Sequence, residues 1–231
     1  MPLVPPSYLG LLAEDAVPTI SIVTRFGPIL FWCPSAKAVD RARKLLTKEA
    51  DTTAWIDSLP SQGTFWDVGA NIGTYALYAA KKGLQVTTFE PSPSNVCVLA
   101  RSADINGLGL APICCAVAAT NGIGSMRTAS LAFGNADIGD REYFVPHFRM
   151  DDLRDILRLG QPDYIKVDID GAEVAMIQGG RETLRKATQV HIEVRPETFP
   201  ETVDEMRKLG FKMAGTTTGK RVQNLLFVRT A

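Results

Sequence analysis

A glycine-bearing turn is the strongest chemical signal in this sequence. Residues 65–73 form an apolar stretch typical of a strand, then a turn with Gly69, Ala70, Asn71 and Gly73, then the start of a helix. Glycine lets the chain turn sharply, and free backbone N–H groups at a helix start face a ligand. Because ligands bind at this edge of an α/β sheet, we expect these four residues to bind a cofactor. An ordinary tight strand–helix connection is the alternative.

Charge at this turn distinguishes between two classes of cofactor. A dinucleotide carries an anionic pyrophosphate, and its usual G-x-G-x-x-G sequence has glycine where Asn71 stands here. Asp67 ends the strand with a negative charge, which would repel a pyrophosphate but stabilise the ammonium and sulfonium groups of S-adenosylmethionine. We therefore expect S-adenosylmethionine as the cofactor, with Asp67 beside it, and keep a nicotinamide dinucleotide as the alternative.

The end of the next predicted strand supplies two more candidates for cofactor binding. Glu90 follows that strand, where a carboxylate can accept hydrogen bonds from both ribose hydroxyls of a nucleoside. Pro91 comes next and fixes the direction in which the chain leaves the strand. Both cofactor classes contain ribose, so this pair does not discriminate between them.

An acidic turn after a later strand supplies candidates for catalysis. Asp168, Asp170 and Glu173 lie within one short stretch, at the same predicted sheet edge as Gly69 and Glu90. We expect Asp168 to face the transferred methyl group, to contact the cofactor, and to accept the proton of a hydroxyl or orient it. Asp170 is a second catalytic candidate or, with Glu173, a helix cap. The three carboxylates could hold Mg²⁺ or Ca²⁺, but we favour a reaction without a metal.

Two histidines and one lysine complete the set of candidates. His147 lies in an irregular segment, where it either reaches the acceptor as a catalytic residue or is an ordinary surface histidine. His191 alternates with Glu193 on a predicted strand, and we expect it to have a structural role. Lys166 lies in a predicted buried strand and therefore needs a charged partner, for which Asp67 and Glu193 are the candidates.

Short apolar runs alternate with amphipathic stretches after residue 64, a pattern typical of a parallel sheet covered on both faces. We predict an α/β protein with a mostly parallel seven-stranded sheet, one reversed edge strand, and helices on both faces. The strands are expected at 64–68, 85–89, 111–117, 163–169 and 189–194, with helices at 74–82, 92–107 and 200–209 and a closing hairpin from 211 to 228.

The chain divides by pattern into two parts. Residues 1–64 are expected to form an N-terminal arm, a hairpin around 19–33, and one or two helices over 37–59. Residues 65–231 are expected to form the cofactor-binding domain, with an inserted loop or hairpin at about 120–150. The first part is thus a lead-in segment rather than a second globular domain.

Composition restricts the partners and the compartment. The chain has 231 residues, with 25 Lys plus Arg against 25 Asp plus Glu, so its net charge is zero and nucleic acid is a poor partner. The four cysteines have no C-x-x-C spacing, which favours a reducing compartment. No segment is typical of a membrane span or a secretory signal, so we expect a cytoplasmic protein; its oligomeric state is open.

Several motifs together resemble one family. The stretches DVGANIG at 67–73, FEPSP at 89–93, IKVDIDGAE at 165–173 and Glu193-Val194 are similar to those of FkbM-type S-adenosylmethionine-dependent methyltransferases. The resemblance covers about residues 65–195 and implies a Rossmann-like methyltransferase fold. It also implies O-methylation of a hydroxyl on a small molecule, sugar or glycolipid. Members often have Glu where Asp170 stands. A dehydrogenase that uses NAD and a noncatalytic module that binds the cofactor are the alternative functions.

Overall fold

The computed structural model describes residues 16–128, 141–218 and 222–230. Its helices are α1 (Ala36–Arg43), α2 (Ala50–Ser58), α3 (Thr74–Lys82), α4 (Pro93–Ile105), α5 (Met150–Ile156), α6 (Glu173–Gly179), α7 (Arg181–Leu184) and α8 (Phe199–Lys208). Its strands are β1 (Thr19–Thr24), β2 (Gly27–Trp32), β3 (Thr64–Val68), β4 (Gln85–Phe89), β5 (Ala111–Ile113), β6 (Ala116–Val117), β7 (Gly122–Thr128), β8 (Arg141–Phe148), β9 (Tyr164–Val167), β10 (Gln189–Val194), β11 (Phe211–Thr218) and β12 (Gln223–Arg229).

The main sheet has seven strands in the order β11-β12-β10-β9-β3-β4-β5. The neighbours from β10 to β5 pair in parallel, which confirms the predicted α/β class and the mostly parallel sheet. The reversed strand, however, is not at the edge: β12 is antiparallel to both β10 and β11 and lies between them. The expected reversed edge strand is wrong in this detail. β12 carries the buried Leu225 and Phe227, whereas β11 is mostly exposed and takes the edge.

Local signals determine the helix after β3. Helix α3 begins after Gly73 and ends at Gly83, and both glycines have positive φ, +83° and +112°. Lys81 and Lys82 in the last turn interact favourably with the helix dipole. Helix α4 begins at Pro93, and the hydroxyl of Ser92 accepts a hydrogen bond from the N–H of Asn95. These elements confirm the predicted ones to within a residue or two.

The lead-in segment packs against the same core as the sheet. The predicted hairpin is present as β1 and β2, and the predicted helical stretch forms the two helices α1 and α2. Trp55 on α2 stacks on His191 with ring centroids 5.0 Å apart and donates a hydrogen bond to Gln189 at 2.8 Å. Helix α2 is thereby attached to the first half of β10. The division at residue 64 stays a prediction.

The inserted segment forms a small sheet of its own. Strands β7 and β8 pair antiparallel, and β6 joins β8 in parallel. The predicted single strand over 111–117 is therefore wrong: residues 111–113 pair with β4 in the main sheet, and residues 116–117 pair in the small one. The strand ends after Ile113 because β5 is at the edge of the main sheet, where the chain can leave it.

No helix in the described part of the chain combines the length and apolar character that a membrane span requires.

Candidate active site

A cavity of about 480 Å³ opens at the carboxyl ends of β3 and β9. Three segments line it: the turn and first residues after β3, the end of β9, and the lead-in segment from α1 to the start of α2. The lining residues are Lys37, Asp40, Arg41, Lys44, Leu45, Thr47, Lys48, Glu49, Gly69, Ala70, Asn71, Thr74, Tyr75, Lys166 and Asp168. The structure thus brings four predicted site residues together here, namely Gly69, Ala70, Asn71 and Asp168.

The turn after β3 accepts only glycine at two positions. Gly69 has φ +82°, and a Cβ atom there would lie 1.9 Å from the carbonyl oxygen of Asp168. Gly73 has φ +83°, and a Cβ atom there would lie 2.5 Å from Leu99 Cγ on α4. The N–H of Gly69 donates to the carbonyl of Phe89 on β4 at 2.8 Å. The turn is therefore held against β9, α4 and β4 by its backbone.

Glu90 holds the same turn from the neighbouring strand. Its buried carboxylate accepts hydrogen bonds from the N–H of Asn71 at 2.8 Å, the N–H of Ser92 at 2.9 Å, and the side-chain amide of Asn95 at 3.2 Å. Burial raises the pKa of Glu90 above its ordinary value, and these hydrogen bonds oppose the rise. Glu90 and the adjacent Pro91 are outside the cavity lining. Their contact with a cofactor ribose stays a prediction.

Asp67 lies beneath the cavity and does not line it. Its carboxylate is fully buried, and Oδ1 lies 3.7 Å from Lys166 Nζ, which confirms the expected charged partner of this lysine. Neither carboxylate oxygen accepts a hydrogen bond. Burial raises the pKa of Asp67 to about 6 despite Lys166. The negative charge of Asp67 was predicted to attract a cationic cofactor, but the ammonium group of Lys166 lies between this carboxylate and the cavity.

Lys166 is the positive centre of the cavity floor. Its Nζ lies 3.6 Å from Asp168 Oδ2 and 5.0 Å from the ring centroid of Tyr75. Burial by itself would lower the pKa of Lys166, but the carboxylates of Asp67 and Asp168 outweigh burial and raise it. The lysine therefore stays charged and orients Asp168.

Three carboxylates from separate elements meet at this floor. One oxygen each of Glu49, Asp168 and Glu193 lie within 4.8 Å of one another. Burial, followed by repulsion from Asp168 and Glu49, raises the pKa of Glu193 to about 8. Burial would also raise the pKa of Glu49, but Lys166 and Lys48 lower it. Glu49 was missed from the sequence because only the packing of the lead-in segment brings it to β9.

The carboxylates considered as metal ligands from the sequence do not come together. Asp170 has an exposed side chain and an ion pair with Arg195 at 3.4 Å. Glu173 is buried and accepts hydrogen bonds from Gly171 N–H at 2.6 Å and Thr198 Oγ1 at 3.0 Å. Among the described residues, Glu49, Asp168 and Glu193 have the better geometry for a metal ion. Asp170 is not the helix cap either, because α6 begins at Glu173 with Ala172 before it.

The two histidines lie outside this cavity. His147 on β8 is half-buried and packs against Gly122, where an added Cβ would lie 2.9 Å from its Nε2. The structure therefore does not bring His147 to Asp168. His191 is buried against Trp55, with Nε2 3.7 Å from Asp51 Oδ2, which agrees with a structural role. A smaller cavity of about 360 Å³ adjoins His191 beneath α2.

Comparisons with known proteins point to methyl transfer. The family model described as "Methyltransferase FkbM domain" matches residues 67–213. A curated relative, the hexuronic acid methyltransferase AglP of Haloferax volcanii, is 23% identical over 178 residues, which are 76% of this chain and 74% of that protein.

Solved structures share the fold. A methyltransferase FkbM from Methylobacillus flagellatus is 20% identical, with a TM-score of 0.55 over 74% of this chain; the match spans only 45% of that chain. A ribosomal protein L11 methylase from Lactobacillus delbrueckii subsp. bulgaricus is 15% identical, with a TM-score of 0.56 over 80% of this chain and 79% of that one. At these identities, the likeness shows the Rossmann-like methyltransferase fold alone.

Proposed function

The chain belongs to the FkbM methyltransferase family, and from this premise we propose that it transfers a methyl group from S-adenosylmethionine to a hydroxyl oxygen of a sugar, a glycolipid or a related small molecule. The observation that carries the proposal is the position of Asp168. Its carboxylate lines the cavity beside the glycine turn and is oriented by the buried Lys166.

The residues of the cavity fit S-adenosylmethionine. Gly69 lets the turn lie directly against the backbone of Asp168, and the N–H of Asn71 is fixed by Glu90. The carboxylates of Glu49 and Asp168 provide a negative surface that suits a cation. When bound, this cofactor supplies a methyl group made electrophilic by its positive sulfur.

The chain's own groups would activate the acceptor. An alcohol ionises far above neutral pH, so transfer to it benefits from a base near the hydroxyl. Asp168 has this position: it can accept the hydroxyl proton, and its ion pair with Lys166 holds it in one orientation. Much of the rate would come from placing the hydroxyl in line with the methyl group. The name of the curated relative, a hexuronic acid methyltransferase, supports a sugar acceptor.

The decisive experiment combines binding and turnover. We expect calorimetric titration to show binding of S-adenosylmethionine and none of NAD. With a panel of sugars, lipids and phenols, we expect S-adenosylhomocysteine to form. Asp168→Asn should lower kcat roughly 100-fold or more, because the amide cannot accept the proton. Tight NAD binding without S-adenosylmethionine binding would overturn the proposal, and cofactor binding without turnover would favour a noncatalytic module.

Two further variants test the other catalytic candidates. Asp170→Asn and His147→Ala change residues predicted from the sequence to be catalytic but placed outside the cavity lining. We expect each to keep kcat within about threefold of the wild type. If one of them lowers kcat as much as Asp168→Asn, that residue reaches the acceptor and the assignment to Asp168 alone fails.

A further inference from the structure

The aromatic ring of Tyr75 contacts the ammonium group of Lys166 in the cavity floor. Tyr75 is the second residue of α3, just after the turn at 69–73, and its buried side chain lines the cavity. Its ring centroid lies 5.0 Å from Lys166 Nζ. At this distance a tyrosine ring attracts a cation, and the attraction is larger where both groups are shielded from water. The helix that follows the turn thus contacts the group that orients Asp168.

The two ion pairs of Lys166 do not fix its ammonium group by themselves. Its Nζ lies 3.7 Å from Asp67 Oδ1 and 3.6 Å from Asp168 Oδ2. Both distances exceed those of charge-assisted hydrogen bonds, which are about 2.7 to 2.9 Å. The ring of Tyr75 restricts the ammonium group from a further direction. Because the Lys166 side chain is only 3% exposed, loss of the ring would also admit water, which weakens the pair with Asp168.

The hydroxyl of the same tyrosine acts on a second group of the floor. It hydrogen-bonds to the carboxylate of Glu49, which is buried and immediately precedes α2. Burial and the nearby charge of Glu49 raise the pKa of Tyr75, so the hydroxyl keeps its proton and is the donor. Lys48 also pairs with this carboxylate, at 2.5 Å. Tyr75 therefore contacts a second charged group beside Asp168.

We propose that Tyr75 is a positioning residue of methyl transfer, whose ring holds the Lys166 ammonium against Asp168 and whose hydroxyl holds Glu49 at the same floor. The inference rests on the proposed function and adds to it a residue that acts through Asp168. In-line transfer depends on where the Asp168 carboxylate places the acceptor hydroxyl, and a small displacement of a reacting group can remove much of the rate. Tyr75 thereby links the turn that we expect to bind the cofactor with the carboxylate that we expect to contact the acceptor.

Tyr78 is a matched control on the same helix. It lies three residues after Tyr75, is also buried, and its hydroxyl donates to Asp57 Oδ1 at 2.7 Å. Asp57 is near the end of α2, whereas Glu49 precedes its start. Each tyrosine thus bonds to a carboxylate at one end of α2, but Tyr78 lies outside the cavity lining. A merely structural role of Tyr75 would make Tyr75→Phe and Tyr78→Phe equivalent.

The first experiment observes Lys166 directly and requires no substrate. The protons of an exposed ammonium group exchange with water too fast for its NMR signal to be seen, whereas a shielded group gives a proton–nitrogen signal. We expect such a signal from Lys166 in the wild type, identified by its loss in Lys166→Arg, and also in Tyr75→Phe, which keeps the ring. In Tyr75→Met, which fills similar space without an aromatic face, the signal should broaden beyond detection.

The second experiment measures turnover with the panel of sugars, lipids and phenols. We expect Tyr75→Phe to lower kcat about threefold and Tyr75→Met about tenfold or more, with the dissociation constant of S-adenosylhomocysteine unchanged. Tyr78→Phe should keep kcat, although both Phe variants should lower the midpoint of thermal unfolding alike. In an Asp168→Asn background, Tyr75→Met should lower kcat further by no more than about twofold, because a residue that acts through Asp168 has no effect once that carboxylate is gone.

The possible failures are distinguishable. If the wild type forms no S-adenosylhomocysteine with any acceptor, the proposed function fails; a Lys166 signal that persists in Tyr75→Met overturns the inference about Tyr75 in either case. If the wild type turns over but Tyr75→Phe and Tyr78→Phe lower kcat equally, only the inference is overturned, and this comparison decides even where Tyr75→Met does not fold. Equal losses from Tyr75→Met with and without Asp168 would also overturn it, because Tyr75 would then act independently of that carboxylate.

Discussion

The two walls of the cavity are built in different ways. The turn at 69–73 is fixed by its backbone, with Gly69 against β9 and Gly73 against α4. The wall from α1 to Glu49 contributes side chains on a helix and the turn after it. The family model begins at residue 67, so it includes the first wall and not the second. We therefore expect the backbone wall to bind the cofactor that the family shares and the side-chain wall to determine which acceptor binds.

The substitution with the largest expected effect on cofactor binding is in the backbone wall. In Gly69→Ala the new Cβ would lie 1.9 Å from the carbonyl oxygen of Asp168, in a backbone conformation with φ +82°. Because that neighbour is backbone, the turn itself must move. We expect a loss of about 2 to 4 kcal/mol in the free energy of unfolding and no measurable binding of S-adenosylmethionine, checked by denaturation and calorimetry.

Gly107→Ala is the control for this substitution. Gly107 also has positive φ, +62°, but an added Cβ meets no atom within 4 Å. The free energy of unfolding of Gly107→Ala should fall by only about 1 kcal/mol, and the variant should still bind the cofactor. If Gly69→Ala behaves in the same way, then backbone strain alone explains it and the close approach to Asp168 has no special role.

The next effect concerns the floor that both walls share. Lys166→Met leaves the Asp67 carboxylate fully buried with no opposite charge at 3.7 Å. We expect a loss of about 3 to 5 kcal/mol in unfolding free energy at pH 8. The loss should be smaller at pH 5, because Asp67, whose pKa burial already raises to about 6, then becomes neutral. Urea denaturation at both pH values measures this.

Lys44→Met is the matched variant on the side-chain wall. The Lys44 ammonium pairs with Asp40 at 2.7 Å, but both side chains are more than half exposed. Such a pair contributes about 0.5 kcal/mol or less, so this variant should unfold almost as the wild type does at either pH. Equal losses in the two lysine variants would contradict the contrast between a buried floor and an exposed wall.

A third prediction uses the pH dependence of stability. The pKa of Glu193 is raised from 4.5 to about 8, first by burial and then by Asp168 and Glu49. Between these values the native protein holds a proton that the unfolded chain has released, so this group makes stability fall as pH rises from 4.5 to 8. Glu193→Gln removes that fall. The free energy of unfolding of this variant should exceed that of the wild type by on the order of 1 to 2 kcal/mol at pH 8.5, and by little at pH 4.5.

Thermal unfolding of the two proteins from pH 4.5 to 8.5 tests this prediction. Asp67 titrates in both proteins, so its contribution cancels in the difference between them. A constant difference at every pH would mean that Glu193 does not hold a proton in the native state.

The sequence predicted the backbone wall well because its signals are local. Gly73, Gly83 and Pro93 mark helix ends within a few residues of the strands they follow, and the helix at 74–82 has the predicted bounds. The side-chain wall could not be predicted in the same way. Glu49 reaches Asp168 because contacts with distant segments, such as that of Trp55 with His191, hold α2 in place, and nothing near Glu49 in the sequence records those contacts.

Two other errors have different causes. The helices α5, α6 and α7 are short, with seven, seven and four residues, so their apolar spacing does not repeat enough to be recognised. The place of β12 between β10 and β11 depends on which hairpin strand has the apolar residues to fill the interior of the sheet. Competition between distant segments determines the order of the strands.

The smallest expected effect is a loss of stability in α1, which belongs to the side-chain wall. Ser35 caps α1, and its hydroxyl accepts a hydrogen bond from the N–H of Ala38 at 3.1 Å. Ser35→Ala should lower the free energy of unfolding by about 1 kcal/mol and speed hydrogen exchange of the amides in α1 but not in α3.

Ser92→Ala removes the corresponding cap of α4, beside the Glu90 carboxylate. We expect a similar loss of stability from Ser92→Ala, but with weaker S-adenosylmethionine binding, which Ser35→Ala should leave unchanged. If Ser35→Ala weakened cofactor binding as much as Ser92→Ala does, the two walls would not act independently, because a change confined to α1 would then reach the turn at 69–73.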